Sequence, residues 1–292
     1  MDIRRFGNTG LQVSALGYGA GQIGDESIDE KHVEYMLNHA ADLGITLFDT
    51  ARGYGASEER IGKYLNHRRH DIVISTKIGY GIDGTLDWTP ECIRRGIEEA
   101  LQRLQTDYID IVHLHSCPTD TLKQQDLIDT LLEAVGEGKV RVAAYAGENE
   151  PLYHALHQGV FRSLMMSVNI CDQRFLTDGL WTAKEKGLGI IAKRPVANAP
   201  WRFDNQPHGD YCEPYWVRWK TMALEFGMDW QELALRFTAY TYGIDSCIVG
   251  TTNPEHLEAN IRYCEQGPLH DDIVEQLRQR FQECDDGWVG QL

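Results

Sequence analysis

The sequence predicts an α/β fold, a (β/α)8 TIM barrel that occupies residues 1–292 as a single domain. Three observations predict it. The length of 292 residues suits one barrel, which typically needs about 250. Short apolar segments alternate with amphipathic helical segments along the chain, as in a parallel sheet. No linker, internal repeat or low-complexity tract divides the sequence, although its length would also admit two smaller domains.

A short β-hairpin is predicted before the barrel. Residues 4–6 and 11–13 flank the turn-rich tetrapeptide Gly-Asn-Thr-Gly at 7–10. A hairpin here would cap the barrel bottom, where an open end exposes apolar side chains. The glycine-rich segment 15–21 that follows is predicted to be the first barrel strand.

The rest of the chain repeats strand and helix. Apolar residues recur at helical spacing, and start signals such as Thr89 before Pro90 mark where helices begin. The remaining strands are predicted at 45–51, 72–77, 108–114, 140–146, 163–168, 188–192 and 244–249. Helices are predicted at 29–43, 57–65, 89–104, 122–135, 151–157, 179–186, 213–226, 230–240, 254–263 and 271–284. A long loop is predicted at 195–212.

A doubly wound open sheet is the alternative fold. It needs Gly-x-Gly-x-x-Gly at the start of a helix. The glycine cluster that begins at Gly17 has Gln22 in the last position of this pattern, and no helix follows at once. The sequence therefore favours the closed barrel.

The net charge of −16 disfavours nucleic acid and anionic membrane as partners, because both attract basic surfaces. The seven cysteines form no Cys-x-x-Cys pair, so no metal site is predicted, and they fit reduced thiols. No signal peptide or membrane span is evident. We expect a cytoplasmic monomer or small homo-oligomer that acts on small molecules.

Three polar residues follow or end neighbouring predicted strands. Asp49 ends one strand, Tyr54 lies in the loop after it, and Lys77 ends the next strand. The C-terminal ends of parallel barrel strands meet at one face, where active sites lie. A free tyrosine, with a pKa of about 10, is a poor acid at neutral pH. A nearby ammonium stabilises the phenolate, and a paired aspartate keeps that lysine charged. We therefore predict a general acid, Tyr54, tuned by Lys77 and Asp49.

Each of these residues also has a plain structural interpretation. Asp49 could cap a helix, Lys77 could extend to solvent, and Tyr54 could be a loop aromatic. Their occurrence together at strand ends favours the catalytic interpretation. On the next strand His113 and His115 share a face. His113 is interpreted as structural, and His115, nearer the strand end, as a residue that orients a carbonyl or relays a proton.

The sequence resembles the aldo-keto reductase family in four separated motifs. These are Phe-Asp-Thr-Ala at 48–51 with Tyr-Gly at 54–55, Ser-Thr-Lys at 75–77, the strand 107–115, and 250–257 on to Asn260. The resemblance implies a catalytic tetrad of Asp49, Tyr54, Lys77 and His115. It implies hydride transfer between a nicotinamide cofactor and a carbonyl or alcohol, with NADP(H) as cofactor and NAD(H) as the alternative. It also implies a set of cofactor-binding residues: Ala20, Gly21, Asp49, Asn169, Lys193, Arg194, Gly250, Thr251, Thr252, His256 and Asn260.

This sequence departs from the family pattern where the nicotinamide would be held. Ala146 and Gly147 replace a usual Ser-Asn pair, Met165 replaces a glutamine, and Lys193 replaces a tyrosine that stacks on the ring. Asn149 and Asn169 are nearby amides that could substitute.

The cofactor phosphates and the choice between the two cofactors depend on other positions. Lys193 or Arg194 could meet the phosphates. The family's cations in the last motif align with Gly250 and His256, which predicts weak discrimination between NADP(H) and NAD(H).

Substrate specificity is expected from loops at the barrel top. The predicted substrate residues are Trp88, Asn198 and Trp201. Two other functions stay open at this point. One is a non-catalytic, dinucleotide-binding regulatory barrel, which would not need Tyr54 and Lys77 together. The other is an isomerase or aldolase with Lys77 as a Schiff-base nucleophile, which would need a lysine without a carboxylate partner.

Overall fold

The computed structural model describes residues 1–292 and contains a closed barrel of eight parallel strands preceded by an antiparallel hairpin. The predicted fold class is therefore confirmed. The hairpin consists of β1 (Ile3–Arg5) and β2 (Gln12–Ser14). The barrel strands are β3 (Leu16–Gly19), β4 (Leu47–Asp49), β5 (Val73–Ile78), β6 (Ile109–His115), β7 (Val140–Ala146), β8 (Ser163–Ser167), β9 (Gly189–Lys193) and β10 (Ser246–Val249). They pair in chain order, and β10 closes the ring on β3.

Helices cover the outside of the barrel. They are α1 (Glu30–Asp42), α2 (Ser57–Leu65), α3 (Pro90–Arg103), α4 (Thr119–Leu122), α5 (Gln125–Gly136), α6 (Asn149–Gln158), α7 (Arg174–Asp178), α8 (Leu180–Glu185), α9 (Glu213–Met222), α10 (Trp230–Tyr240), α11 (Pro254–Glu265) and α12 (Asp271–Cys284). The predicted start of α3 is correct, since the Thr89 hydroxyl accepts a hydrogen bond from the backbone N–H of Cys92 at 3.2 Å. None of the helices is long and apolar enough to cross a membrane.

Some predicted helices have different bounds. The segment predicted as one helix at 122–135 contains the end of α4 and most of α5. The helix predicted at 213–226 ends at Met222, because Ala223 turns into the left-handed region with φ of +45°. Amphipathic periodicity did not detect either break.

The hairpin closes the lower end of the barrel. Phe6, Leu11 and Val13 pack in a buried cluster with the residues at the lower end of the barrel interior, among them Leu47 and Val73. A Cβ atom on Gly189 would lie 2.6 Å from the Phe6 ring, so only glycine lets the aromatic ring enter here.

The inner face changes character along the strands. Side chains two residues apart on a strand point to the same face. Moving up from the apolar cluster, β4 therefore presents Asp49, β5 presents Lys77, β6 presents His115 and β9 presents Lys193. The upper end of the barrel interior, here called the mouth, is thus polar, whereas the lower end is apolar.

Candidate active site

Lys77 and Asp49 form a buried ion pair at the mouth. The Lys77 Nζ donates to Asp49 Oδ2 at 2.6 Å and to the carbonyl oxygen of Thr50 at 2.8 Å. Both side chains are 3% exposed. Burial alone would lower the pKa of Lys77 and favour the neutral amine. The charge of Asp49 and, to a smaller extent, the interaction with Tyr54 outweigh burial, so the pKa of Lys77 is raised. Lys77 is therefore an ammonium group across the physiological pH range.

Tyr54 lies directly beside this ammonium group. The Lys77 Nζ is 4.8 Å from the centre of the Tyr54 ring. The tyrosine is half-buried and lines a large cleft above the mouth. The predicted convergence of Asp49, Tyr54 and Lys77 is therefore present in the structure, and their catalytic roles stay predictions.

Two glycines hold the Tyr54 loop close to the turn after β3. A Cβ atom on Gly24 would lie 1.7 Å from the Tyr54 carbonyl oxygen, and one on Gly55 would lie 2.3 Å from the Gly24 oxygen. Gly55 also has φ of +53°, and the Ala56 N–H donates to the Gly24 carbonyl at 3.0 Å. This close approach fixes where Tyr54 enters the cleft. The role of Gly24 was not predicted, because it depends on contact between two loops.

His115 completes the group from the end of β6. Its ring stands edge-on to the Tyr54 ring, with centroids 6.0 Å apart. Burial, followed by the charges on Lys77 and Lys193, lowers the pKa of His115 to about 3. The imidazole is therefore neutral at physiological pH.

Tyr80 orients His115. The Tyr80 hydroxyl lies 2.9 Å from His115 Nδ1, and the two rings stack with centroids 5.4 Å apart. Burial and, to a smaller extent, the electrostatic interaction with Tyr54 raise the pKa of Tyr80, so the Tyr80 hydroxyl stays protonated. With the hydroxyl as donor to Nδ1, the ring hydrogen of His115 is on Nε2. This contact was not predicted, because Tyr80 lies in a loop whose path the strand pattern does not define.

Trp88 packs behind Tyr80. The two ring centroids are 5.9 Å apart, and the indole covers Gly79, where a Cβ atom would lie 1.9 Å from the Trp88 ring. Trp88 is not among the residues that line the cleft. Its predicted contact with substrate stays a prediction, and its observed contacts support the loop that carries Tyr80.

The residues after Tyr54 brace this region from outside the mouth. Ser57 accepts from the Thr50 hydroxyl at 2.7 Å and donates to the Ala20 carbonyl at 2.8 Å. Glu58 accepts from the Thr76 hydroxyl at 2.5 Å. Ala20, predicted to bind cofactor, is fully buried, and its N–H donates to the Asp49 carbonyl at 2.8 Å. Ala20 does not line the cleft, whereas its neighbour Gly21 does.

The cleft above the mouth has a volume of about 1190 Å³, which is larger than the roughly 300–1,000 Å³ typical of small-molecule sites. It is lined by the end of β3 and by the loops after β9 and β10, and Asp49 and Tyr54 at the barrel mouth form its floor. The predicted cofactor residues that line it are Gly21, Asp49, Lys193, Arg194, Gly250, Thr251, Thr252, His256 and Asn260.

Close backbone contact shapes the cleft beside β3 and β10. A Cβ atom on Gly250 would lie 2.7 Å from the Gly19 carbonyl oxygen, so a larger residue would push the two strand ends apart. The loop that follows is fixed by the Tyr18 hydroxyl, which donates to the Thr251 carbonyl at 2.6 Å. The result is a smooth, glycine-lined wall that suits an extended ligand.

Asn260, at the far end of the cleft, lies beside Gln231. The Asn260 Oδ1 accepts from Gln231 Nε2 at 3.0 Å. Asn169 lies elsewhere. It is fully buried, its Nδ2 donates to the Arg194 carbonyl at 3.0 Å, and its Oδ1 accepts from the Cys171 N–H at 2.8 Å. Asn169 does not line the cleft, so its predicted contact with the nicotinamide stays a prediction that would require these bonds to change.

On the side of the mouth opposite Lys77, Glu148 pairs with two cationic side chains. Its Oε1 lies 3.2 Å from Lys193 Nζ and 3.5 Å from an Arg194 nitrogen, and it accepts from the Ser167 hydroxyl at 2.7 Å. Arg194 also donates to Ser167 Oγ and to the carbonyl of Gln291, near the C-terminus. The carboxylate is almost fully buried. The role of Glu148 was not predicted, since only a loop brings this residue to the two cations.

The loop after β9 is strained where it lines the cleft. Arg194, Ala197, Asn198 and Ala199 all have φ between +49° and +58°, a region that costs about 1–3 kcal/mol per non-glycine residue. The Asn198 Nδ2 is buried without a hydrogen-bond partner, and Asn198 is among the residues that line the cleft. Trp201 instead stacks on Trp230, with centroids 6.2 Å apart, and does not line the cleft.

These features fit a dinucleotide. The cleft is large, its lining includes Gly19, Gly21 and Gly250, and Asn198, whose amide nitrogen has no partner, is also among its lining residues. At the mouth the Tyr54 phenol, the Lys77 ammonium group and the neutral His115 imidazole lie close together, and such a set can donate a proton and hydrogen bonds to a carbonyl oxygen.

Comparisons with known proteins agree with this geometry. The family model described as the aldo/keto reductase family matches residues 15–280. The chain is 30% identical over 279 residues to L-galactose dehydrogenase of Arabidopsis thaliana, covering 89% of this chain and 87% of that protein. It is 32% identical over 308 residues to a probable voltage-gated potassium channel subunit beta of Oryza sativa subsp. japonica, covering 92% and 93%. The holo form of an aldo-keto reductase from Bacillus halodurans superposes with a TM-score of 0.83 at 26% identity, covering 96% of each chain. The resemblance inferred from the four motifs is thereby confirmed, and the chain belongs to the aldo/keto reductase family.

Proposed function

We propose that this protein is an NAD(P)(H)-dependent oxidoreductase that interconverts a carbonyl compound and an alcohol. The observation that carries the proposal is the buried Lys77–Asp49 pair beneath Tyr54 at the floor of the cleft. A fixed ammonium group beside a phenol stabilises the phenolate that remains after the phenol gives up its proton. A merely structural tyrosine would not require this arrangement.

The chain's own residues supply the proton chemistry. Tyr54 donates its hydroxyl proton to the carbonyl oxygen as that oxygen gains negative charge, and Lys77 stabilises the phenolate that forms. His115 donates a hydrogen bond from Nε2 to the same oxygen, while Tyr80 holds the ring. The nicotinamide, when bound, supplies the hydride for reduction or accepts it for oxidation. In the oxidation direction the Tyr54 phenolate accepts the alcohol proton.

We propose NADP(H) as cofactor, with NAD(H) as the alternative and weak discrimination between them. Three cations line the cleft, and each already faces a carboxylate. Lys193 and Arg194 face Glu148, and Arg202 lies 3.7 Å from Asp210. No free lysine or arginine is therefore reserved for a 2′-phosphate. A preference above roughly a thousandfold in kcat/KM would contradict this expectation, since it would need about 4 kcal/mol of differential binding.

The substrate class is an aldehyde, a ketone or a sugar. The relative named L-galactose dehydrogenase supports a sugar, because it aligns along nearly the whole chain. The regulatory alternative is favoured by the relative named as a potassium channel subunit. Against that alternative stands the complete set of Asp49, Tyr54, Lys77 and His115.

The test is a panel of aldehydes, ketones and sugars with both reduced and both oxidised cofactors, run on the wild type and on Tyr54→Phe. We expect Tyr54→Phe to lower kcat by about 10²- to 10⁴-fold, as for the loss of a general acid. The dissociation constant of the reduced cofactor, measured by fluorescence, should stay within about twofold, because the ring remains in place. Tyr242→Phe, the same change at an exposed position, is the matched control.

Unchanged kcat in Tyr54→Phe would overturn the acid assignment. A wild-type protein that binds the reduced cofactor but turns over no substrate, even in a single turnover with an activated aldehyde, would instead favour the regulatory barrel.

A further inference from the structure

His113 lies one layer below the mouth, on the inner face of the barrel. In the pairing of β5 with β6 it stands directly opposite Lys77, and its side chain is fully buried. Its Nε2 lies 3.0 Å from the Ser75 hydroxyl oxygen. That hydroxyl donates to Asp49 Oδ1 at 2.8 Å, while Asp49 Oδ2 holds Lys77. A continuous hydrogen-bonded chain therefore runs from His113 to the ammonium group beneath Tyr54.

The direction of this chain follows from hydrogen counting. A carboxylate paired with an ammonium group only accepts hydrogen bonds. The single hydroxyl hydrogen of Ser75 must then point to Asp49. The contact between Ser75 and His113 needs a hydrogen from the other partner, so Nε2 carries it and donates. Nδ1 is left with a bare lone pair, and it has no hydrogen-bond partner of acceptable geometry, although the backbone of Tyr145 lies close to the ring.

The imidazole is neutral. Burial, followed by the charge on Lys77, lowers the pKa of His113 well below its ordinary value. A neutral ring with a defined tautomer is a fixed donor, and its bond orders every hydrogen in the chain up to Asp49. A histidine kept only for packing would need no such bond, and an apolar residue would avoid burying an unpartnered nitrogen.

We propose that His113 is a positioning residue for the reaction: through Ser75 it holds Asp49 in the orientation that keeps Oδ2 on Lys77. The role rests on the proposed function of the Lys77–Tyr54 pair. It assigns to His113 more than the structural role expected from the sequence. Without the donor, Ser75 and Asp49 can rotate, and the ammonium group is held less firmly beneath the phenol.

The test compares His113→Gln with His113→Met. Glutamine can place an amide N–H donor near the position of Nε2, whereas methionine fills similar space without a donor. We expect His113→Met to lower kcat about three- to tenfold, the range for one hydrogen bond, with the dissociation constant of the reduced cofactor unchanged. The basic limb of the kcat–pH profile should move to lower pH, because Lys77 loses its charge more readily. In His113→Gln, both kcat and the position of the basic limb should return to the values of the wild type.

A double-mutant cycle with Ser75→Ala tests whether the effect of His113 reaches Asp49 through Ser75. If the effect passes through Ser75, His113→Met should have little further effect on kcat in the Ser75→Ala background. Equal losses in the two backgrounds, or no rescue by glutamine, would overturn the proposal. Variants are compared only after circular dichroism shows that they are folded.

The tautomer gives a readout independent of turnover. Long-range ¹H–¹⁵N spectra of the wild type should show the Nε2–H, Nδ1-bare pattern for His113, assigned by its loss in His113→Gln. The Nδ1–H tautomer or an imidazolium would overturn the chain described above. Loss of the proposed function would show differently, as absence of wild-type turnover with the predicted tautomer intact.

Discussion

The two halves of the barrel mouth hold similar charges by different means. On the side of β4 to β6, Lys77 pairs with Asp49 from the adjacent strand, and both side chains are 3% exposed. On the opposite side, Lys193 ends β9 but its partner Glu148 comes from the loop after β7, and the lysine is 17% exposed. The first pair is fixed by the barrel itself, whereas the second depends on loops.

This difference separates two tasks. A proton donor must stay within a few tenths of an ångström of one position, and rigid neighbouring strands provide that. The proposed cofactor must enter and leave, and the strained loop after β9 lines the cleft without contributing to the hydrogen bonds that hold Lys77. We infer that the β4–β6 side performs the chemistry and that the strand ends and loops from β9 through β10 to β3, which line the cleft, bind the cofactor.

Removing each lysine in turn should give the largest contrast. We expect Lys77→Met to lower kcat by about 10²- to 10³-fold, the range for loss of one electrostatic group at a reacting oxygen. We expect Lys193→Met to lower kcat less than about tenfold while it raises the dissociation constant of the reduced cofactor. Steady-state kinetics and cofactor fluorescence measure the two effects. Similar losses of kcat in the two variants would show that the halves do not divide the work in this way.

The same contrast explains how much the sequence could predict. Asp49 and Lys77 end strands, and parallel strands bring their ends together whatever the loops do, so their convergence followed from the pattern alone. Glu148, Tyr80 and Gly24 act through loop-to-strand or loop-to-loop contacts, and no periodicity reports those. The break between α4 and α5 was missed for a related reason, since apolar spacing continues across it.

Neutralising Asp49 and Glu148 in turn should distinguish the two sides of the mouth again, this time by the free energy of unfolding. Asp49→Asn leaves the buried Lys77 ammonium group without its countercharge, with a neutral amide oxygen and the Thr50 carbonyl as its acceptors, which should lower the free energy of unfolding by about 3–5 kcal/mol. Glu148→Gln keeps a carbonyl oxygen for Ser167, and Arg194 keeps its bond to Gln291 at 2.8 Å. We expect a loss of about 1–2 kcal/mol there. Denaturant titration at neutral pH measures both values, and a larger loss for Glu148→Gln would contradict the ranking.

The last prediction concerns pH and tests the neutral state of His115. Its pKa is about 3 in the folded protein and about 6.5 in an unfolded chain. Between these values the unfolded chain binds a proton at this residue and the folded protein does not. The stability gained by keeping His115 neutral is therefore complete above pH 6.5 and is lost as the pH falls toward 3, by at most about 1.4 kcal/mol per pH unit.

We expect His115→Gln to flatten the fall in the free energy of unfolding between pH 6.5 and 4.5 relative to the wild type. His70→Gln, the same change at an exposed position, is the control and should leave the slope unchanged. Buried carboxylates contribute equally to both variants, so the difference in slope isolates the imidazole. An unaltered slope in His115→Gln would mean that His115 becomes protonated in the folded protein, and a charged ring there would place a second cation against Tyr54 in the half that we assign to proton transfer.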